Sequence, residues 1–147
     1  QQFSEENGSI KSFLSECPGN TLAIAKALGK TLKPGSVLAL YGNLGAGKTT
    51  FVRGIIEGVQ GTSVLYVQSP TFTFLHCYEA KTPVYHFDLY RLPNSSEFLH
   101  AGFDEYLSKD GVACIEWAEK IPEYLPENTI SVHFAYLGPH KREISIR

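Results

Sequence analysis

Methionine is missing from all 147 residues, tryptophan occurs once and cysteine only three times. With Gln1 first and no methionine anywhere, a chain trimmed or renumbered at its start is expected. Cys17, Cys77 and Cys114 are odd in number and far apart, and no C-x-x-C occurs. That argues against a zinc knuckle and against a disulfide framework. Reduced thiols in the cytosol are expected instead, with Cys77 and Cys114 packed in core strands. No apolar run approaches the roughly 20 residues that cross a bilayer, and no signal-peptide pattern opens the chain. A cytoplasmic protein with no membrane partner is therefore expected. A net charge of −2 offers no global attraction to nucleic acid. The guanine-reading segment Asn-Lys-x-Asp is absent, which favours ATP over GTP. Arginine occurs only at 53, 91, 142 and 147, so the arginine-bearing lid of small-metabolite kinases is not visible. Arg142 and Arg147 read as surface of a closing hairpin. The five histidines show no ligand spacing, and surface or packing roles are expected for all of them.

What is present centres on residues 36 to 60. Gly42, Asn43, Leu44, Gly45, Ala46, Gly47, Lys48 and Thr49 fit the P-loop pattern G-x-x-x-x-G-K-[ST], with Thr50 following. Val37 to Leu40 before them is an apolar run of strand type. Phe51, Val52, Ile55, Ile56 and Val59 after them recur at helical spacing. Strand, glycine-rich loop and helix in that order make an anion cradle. The loop N–H groups converge, and the helix directs its positive end at the same point. Lys48 adds a point charge for the β- and γ-phosphates. Thr49 offers a hydroxyl to Mg²⁺, an ion that keeps several waters and takes few protein ligands.

The rest of the chain reads as short elements in one domain, residues 1 to 147. Residues 10 to 15 suit an edge strand. Asn20 is the expected N-cap of a helix whose buried face carries Leu22, Ala25, Leu28 and Leu32. Gly61-Thr62-Ser63 ends the P-loop helix, and residues 64 to 68 lead back to Ser69-Pro70-Thr71. Residues 72 to 78 alternate as a strand, paired antiparallel with 84 to 89 in a hairpin that sets His76 opposite His86. A helix is expected over 97 to 107, a turn over 108 to 111 and a strand over 112 to 115. A polar helical stretch to Tyr124 follows, then a hairpin of 129 to 137 with 142 to 146.

Two acids stand out because each sits in or ends an apolar strand, where a charge is costly unless compensated. Asp88 lies in Val-Tyr-His-Phe-Asp-Leu-Tyr-Arg, and Glu116 ends Val-Ala-Cys-Ile. Either is a candidate for managing a P-loop metal; the plainer readings are a solvated carboxylate or an ion pair with Arg53 or Arg91. Those two arginines are in turn candidates for charge at the γ-phosphate. Ser69 and Thr71 suit a loop that senses nucleotide, or plain turn chemistry.

Taken together, Gly-Asn-Leu-Gly-Ala-Gly-Lys-Thr-Thr, Ser-Pro-Thr-Phe, Tyr-His-Phe-Asp-Leu-Tyr-Arg-Leu and Ile-Glu-Trp occur in the order seen in the TsaE (YjeE) family. That family comprises P-loop ATPases of tRNA threonylcarbamoyladenosine biosynthesis. The resemblance covers about residues 16 to 137. It implies an α/β, P-loop NTPase-like three-layer fold with a mixed sheet and antiparallel hairpins. It implies ATP and Mg²⁺, with Lys48 on phosphate, Thr49 and Glu116 at the metal, and Asp88 near the catalytic water or the metal. It places Trp117 beside the site and makes Ser69-Pro70-Thr71 the switch loop. It also implies partners, the threonylcarbamoyl transferase subunit TsaD and its paralogue TsaB, with tRNA engaged indirectly. The segment before the first helix matches only loosely, so Thr21 and Glu16 are weak candidates for base or ribose contacts. The expected activity is ATP hydrolysis, weak alone and dependent on the partners. The alternatives are a small-molecule kinase and a nucleotide-gated binding module with negligible turnover.

Overall fold

The computed structural model describes residues 10–43, 47–63, 67–107 and 110–147. Val37–Tyr41 (β2), Val84–Asp88 (β4) and Val112–Glu116 (β5) are almost wholly buried, as strands covered on both faces must be. They run parallel, together with the first part of Ile130–Gly138 (β6). Lys11–Ser15 (β1), Leu75–Tyr78 (β3) and Lys141–Ile146 (β7) add antiparallel pairings outside this core. The order across the seven strands described is β1-β7-β6-β2-β5-β4-β3. This is the expected mixed sheet with two hairpins, and β1 lies at its edge.

Side-chain alternation divides the core into two layers. Leu38, Leu40, Val84, Val112 and Cys114 face the helices Pro18–Gly29 (α1) and Lys48–Gln60 (α2). Val37, Ala39, Tyr85, Phe87, Ala113 and Ile115 face the other way, onto Phe98 and Leu107. Phe98 belongs to a short helix, Ser96–His100 (α3), and Leu107 to a 3-10 helix, Phe103–Leu107. Two further 3-10 turns, Ala118–Lys120 and Pro122–Tyr124, stand where the polar helical stretch is expected. The closing hairpin carries a bulge between Tyr136 and Gly138.

Several sequence expectations are corrected. Helix α1 starts earlier than Asn20: Cys17 is its N-cap and Pro18 its first residue, a position where the missing N–H does no harm. Asn20 instead turns back and accepts the Glu16 N–H at 3.0 Å. The buried face of α1 carries Thr21, Ile24, Ala25, Leu28 and Gly29; Leu22 is only half-buried and Leu32 lies beyond the helix end. Gly102, at φ +76°, splits the expected 97–107 helix into α3 and the 3-10 turn. Cys77 is exposed on the edge strand β3, whereas Cys114 is buried as expected.

The expected 72–78 strand begins only at Leu75. Residues 71 to 74 form a turn, in which the Phe74 N–H donates to the Pro70 carbonyl at 2.7 Å and Phe74 takes φ +67°. Phe72 is left 76% exposed beneath the Arg91 guanidinium. His76 and His86 are register partners, as the hairpin requires. Part of 64 to 68 and part of the 108 to 111 turn lie outside the described residues, as do Leu44, Gly45 and Ala46 of the P-loop.

Candidate nucleotide and metal site

Parallel register builds the site. Leu40 pairs with Glu116, and Glu116 with Asp88, so the C-terminal ends of β2, β5 and β4 align along one edge of the sheet. Open α/β sheets place ligands at such an edge. The chain leaves β2 through Gly42 and Asn43 and enters α2 at Gly47, whose φ of +92° favours a residue without a Cβ. The first turn of α2 therefore faces the same edge as the two acids.

One cavity of about 360 Å³ is lined by Gly47, Lys48, Thr49, Thr50, Ser69, Thr71, Asp88, Glu116 and Trp117. Residues from 47 to 117 in sequence thus converge on one space. The Lys48 ammonium is buried, donates to the Gly42 carbonyl at 2.8 Å and lies 5.0 Å from the centre of the Trp117 ring. A cation over an indole face is favoured when desolvated. The ring is aimed there by Trp117's own backbone, at φ +61°, ψ +39°, immediately after Glu116. A bulky residue seldom adopts that conformation without a constraint. Asn43 is exposed at the loop's start.

The two acids are treated differently. Asp88 is fully engaged: its Oδ2 accepts from the Ser69 and Thr71 hydroxyls, the latter at 3.1 Å, and its Oδ1 accepts the Tyr90 N–H at 3.0 Å. Glu116 takes both of its donors on Oε2, the Ser69 hydroxyl at 3.1 Å and the His86 imidazole Nε2 at 2.6 Å. Its Oε1 carries no hydrogen bond among the described residues. Both carboxylates are nearly buried, and hydroxyls, an amide and an imidazole compensate them. Arginine does not. Arg53 approaches Glu57 at 3.8 Å, Arg91 lies over Phe72, and neither lines the cavity.

The donor set suits Mg²⁺. A half-buried threonine hydroxyl and an open carboxylate oxygen beside a helix N-terminus are all that this hard cation asks of a protein when phosphates and waters complete its shell. Among the described residues no group of three or more His, Cys, Asp and Glu is arranged to hold a metal, in this cavity or outside it, so the donors offered here are few.

Thr21 is not part of this cavity. It lines a second one of about 200 Å³, beside Ser15 and Arg142, and its hydroxyl pairs with that of Ser15 at 2.7 Å. Gly47 and Thr50 border both spaces, so the two adjoin across the start of α2. Arg142, expected as plain hairpin surface, borders this second space and donates to the Gly138 carbonyl at 2.7 Å.

Sequence reasoning passed over His86. It read as packing, yet it is fully buried and bonded to Glu116. A signal was available: His86 and Asp88 are two apart on one strand, hence on one face, and a parallel neighbour ending in Glu116 puts its acid on that same face.

The profile of the family described as threonylcarbamoyl adenosine biosynthesis protein TsaE matches residues 15–144. The tRNA threonylcarbamoyladenosine biosynthesis protein TsaE of Bacillus subtilis (strain 168) is 45% identical over 129 residues, which is 87% of this chain and 79% of that protein. Its counterpart in Treponema pallidum (strain Nichols) is 36% identical over 133 residues, 90% of this chain and 97% of the other. The crystal structure of Bacillus subtilis YdiB superposes with a TM-score of 0.77 at 37% identity, covering 94% of this chain and 84% of YdiB. The family match spans every residue that lines the two cavities. The chain therefore belongs to the TsaE family of threonylcarbamoyl adenosine biosynthesis proteins.

Proposed function

We propose that this chain is a Mg²⁺-dependent ATPase serving the threonylcarbamoyladenosine modification of tRNA. It works as a nucleotide switch on the threonylcarbamoyl transferase subunit TsaD and its paralogue TsaB, and engages tRNA only through them. The observation that carries this reading is the convergence of Lys48 and Thr49 with Asp88 and Glu116 in one cavity, where hydroxyls of residues 69 to 71 hold the acids.

The first-turn amides of α2 and the Lys48 ammonium grip the triphosphate. Lys48 has three N–H donors and gives one to Gly42, so two remain for phosphate oxygens. Thr49 and Glu116 would hold Mg²⁺, which would supply positive charge to offset that of the phosphates. Asp88, with both oxygens occupied, is suited to orienting a water or the loop rather than to ligating metal directly. Thr21 and its small cavity, which adjoins the first across the start of α2, are our candidates for the base or ribose. The reading extends to the switch through Ser69: its hydroxyl bridges the two acids, so a change at either acid alters the loop's anchorage.

Phosphate release from ATP, measured with no added acceptor, tests both halves. Slow release by the chain alone, rising when TsaD and TsaB are added, is the expected result. No release in either setting removes the ATPase. Release that ignores the partners removes the switch. In the same assay, emission of Trp117, the single tryptophan, should change on adding Mg·ATP.

A further inference from the structure

His86 is an expensive residue for its place. It sits inside the buried strand β4, opposite Cys114 of β5, with no exposed surface. Leucine would fill a similar volume without burying polar atoms. Among the described residues its imidazole makes one hydrogen bond, from Nε2 to Glu116 Oε2 at 2.6 Å, while Nδ1 is buried without a partner. A histidine kept for packing would be expected to satisfy both nitrogens. Here one is left bare, and the other is committed to the single carboxylate of the cavity that keeps an open oxygen.

Glu116 receives two donors, and they differ in permanence. Ser69 belongs to a loop and is shared between Asp88 and Glu116. His86 belongs to a strand paired on both sides, with β3 and with β5. If the loop moves, Ser69 leaves and His86 stays. Both donors converge on Oε2, so the bond that stays holds the carboxylate with Oε1 free.

We infer that His86 is a positioning residue: through Nε2–H it fixes Glu116 with Oε1 presented to the cation, whatever the position of the Ser69–Thr71 loop. This rests on the reading of Glu116 as a metal ligand. The tautomer follows. With Nε2 as donor, Nδ1 carries only a lone pair, a less costly orphan in the core than an unpaired N–H.

The test uses Mn²⁺ as the probe, its binding read by electron paramagnetic resonance at saturating ADP. Affinity for ADP in EDTA is measured alongside. His86→Phe removes the donor, and His86→Gln keeps an N–H for Glu116. His86→Phe is expected to weaken Mn²⁺ binding about tenfold to a hundredfold, as loss of a ligand's hydrogen-bond partner does elsewhere. ADP affinity in EDTA should change little, and His86→Gln should recover most of the lost metal affinity. Unchanged Mn²⁺ binding in His86→Phe overturns the inference. So does a matching loss in His86→Gln, or an equal fall in metal-free ADP affinity. Glu116→Ala separates the two readings. If it leaves Mn²⁺ binding intact, the metal role of Glu116 falls and takes His86 with it. If it weakens binding while His86→Phe does not, only His86 falls. Nitrogen-15 spectra of the unaltered protein give an answer that needs no variant to fold. Protonated Nε2 with bare Nδ1 is expected, and the opposite tautomer overturns the assignment.

Discussion

Lys48 is a buried cation whose nearest partners are a carbonyl and an indole face. Neither neutralises it, and among the described residues no carboxylate is bonded to it, so a triphosphate bound as proposed would meet an uncompensated charge. Hydrogen bonds to charged groups contribute about 1.5–3 kcal/mol each. Lys48→Ala should therefore weaken ATP binding by at least roughly tenfold in calorimetric titration; wild-type affinity would count against the phosphate role. The cysteines provide a second check at this scale. Burial and the neighbouring Glu116 carboxylate hold the Cys114 thiol well above its usual range, while Cys17 and Cys77 are exposed. A raised thiol carries little thiolate at neutral pH. Two thiols should react quickly with a chromogenic disulfide reagent in the native protein, and the third only after unfolding. Lys48, Thr49, Asp88 and Glu116 were legible in the sequence because each sits in a local pattern. His86 was harder to read, because its bond to Glu116 depends on which strand lies beside β4.

Helices α1 and α2 show what packing adds to periodicity. The apolar spacing of α2 is plain, but the spacing of its glycines carries as much. A Cβ at Gly54 would lie 2.5 Å from that of Ala25 and 2.7 Å from the Leu22 carbonyl; one at Gly29 would lie 2.7 Å from the Ile55 carbonyl. Gly58 faces the Lys26 carbonyl more tightly still. The helices touch backbone to backbone, which seats the first turn of α2 against Thr21 of α1. Gly58→Ala gains about 1 kcal/mol of helix propensity, yet overpacking against backbone costs about 1–3 kcal/mol. A net loss of stability is expected in urea unfolding; a gain would mean the helices can separate without penalty. The loop at 69–74 teaches the converse. Its alternation of Phe72, Phe74 and His76 is real, but Ser69 and Thr71 bond Asp88, and the chain turns to let them. Tertiary hydrogen bonds outweigh a short stretch of β-pattern.

At the scale of the molecule, the site stands where elements from most of the chain meet. The cavity draws on α2, the 69–71 loop, β4 and the end of β5, and its neighbour draws on β1, α1 and the β6–β7 turn. A ligand spanning both spaces ties the two sides of the sheet's working edge together. Binding to the folded state alone stabilises it by about 2.7 kcal/mol at a hundred times the dissociation constant. For a chain of this length that corresponds to a rise in melting temperature of roughly 5–10 °C. Mg·ATP should produce such a shift in differential scanning calorimetry, and Lys48→Ala should largely abolish it. An unshifted wild-type transition would mean that nucleotide does not engage the folded chain.

The chain's α/β character, the P-loop with its flanking strand and helix, the two hairpins and the candidate acids were all determined by the sequence itself. They rest on short-range rules: side-chain alternation, helical periodicity, and the steric freedom of glycine. Only the tertiary structure decided that Asp88 is saturated while Glu116, among the described residues, keeps an open oxygen, that Ser69 joins them, that His86 stands behind Glu116, and that Arg53 and Arg91 lie apart. Those facts depend on strand order and register. A hydrogen bond three ångströms long is made or lost by a shift of one residue between strands, and no local pattern records that shift.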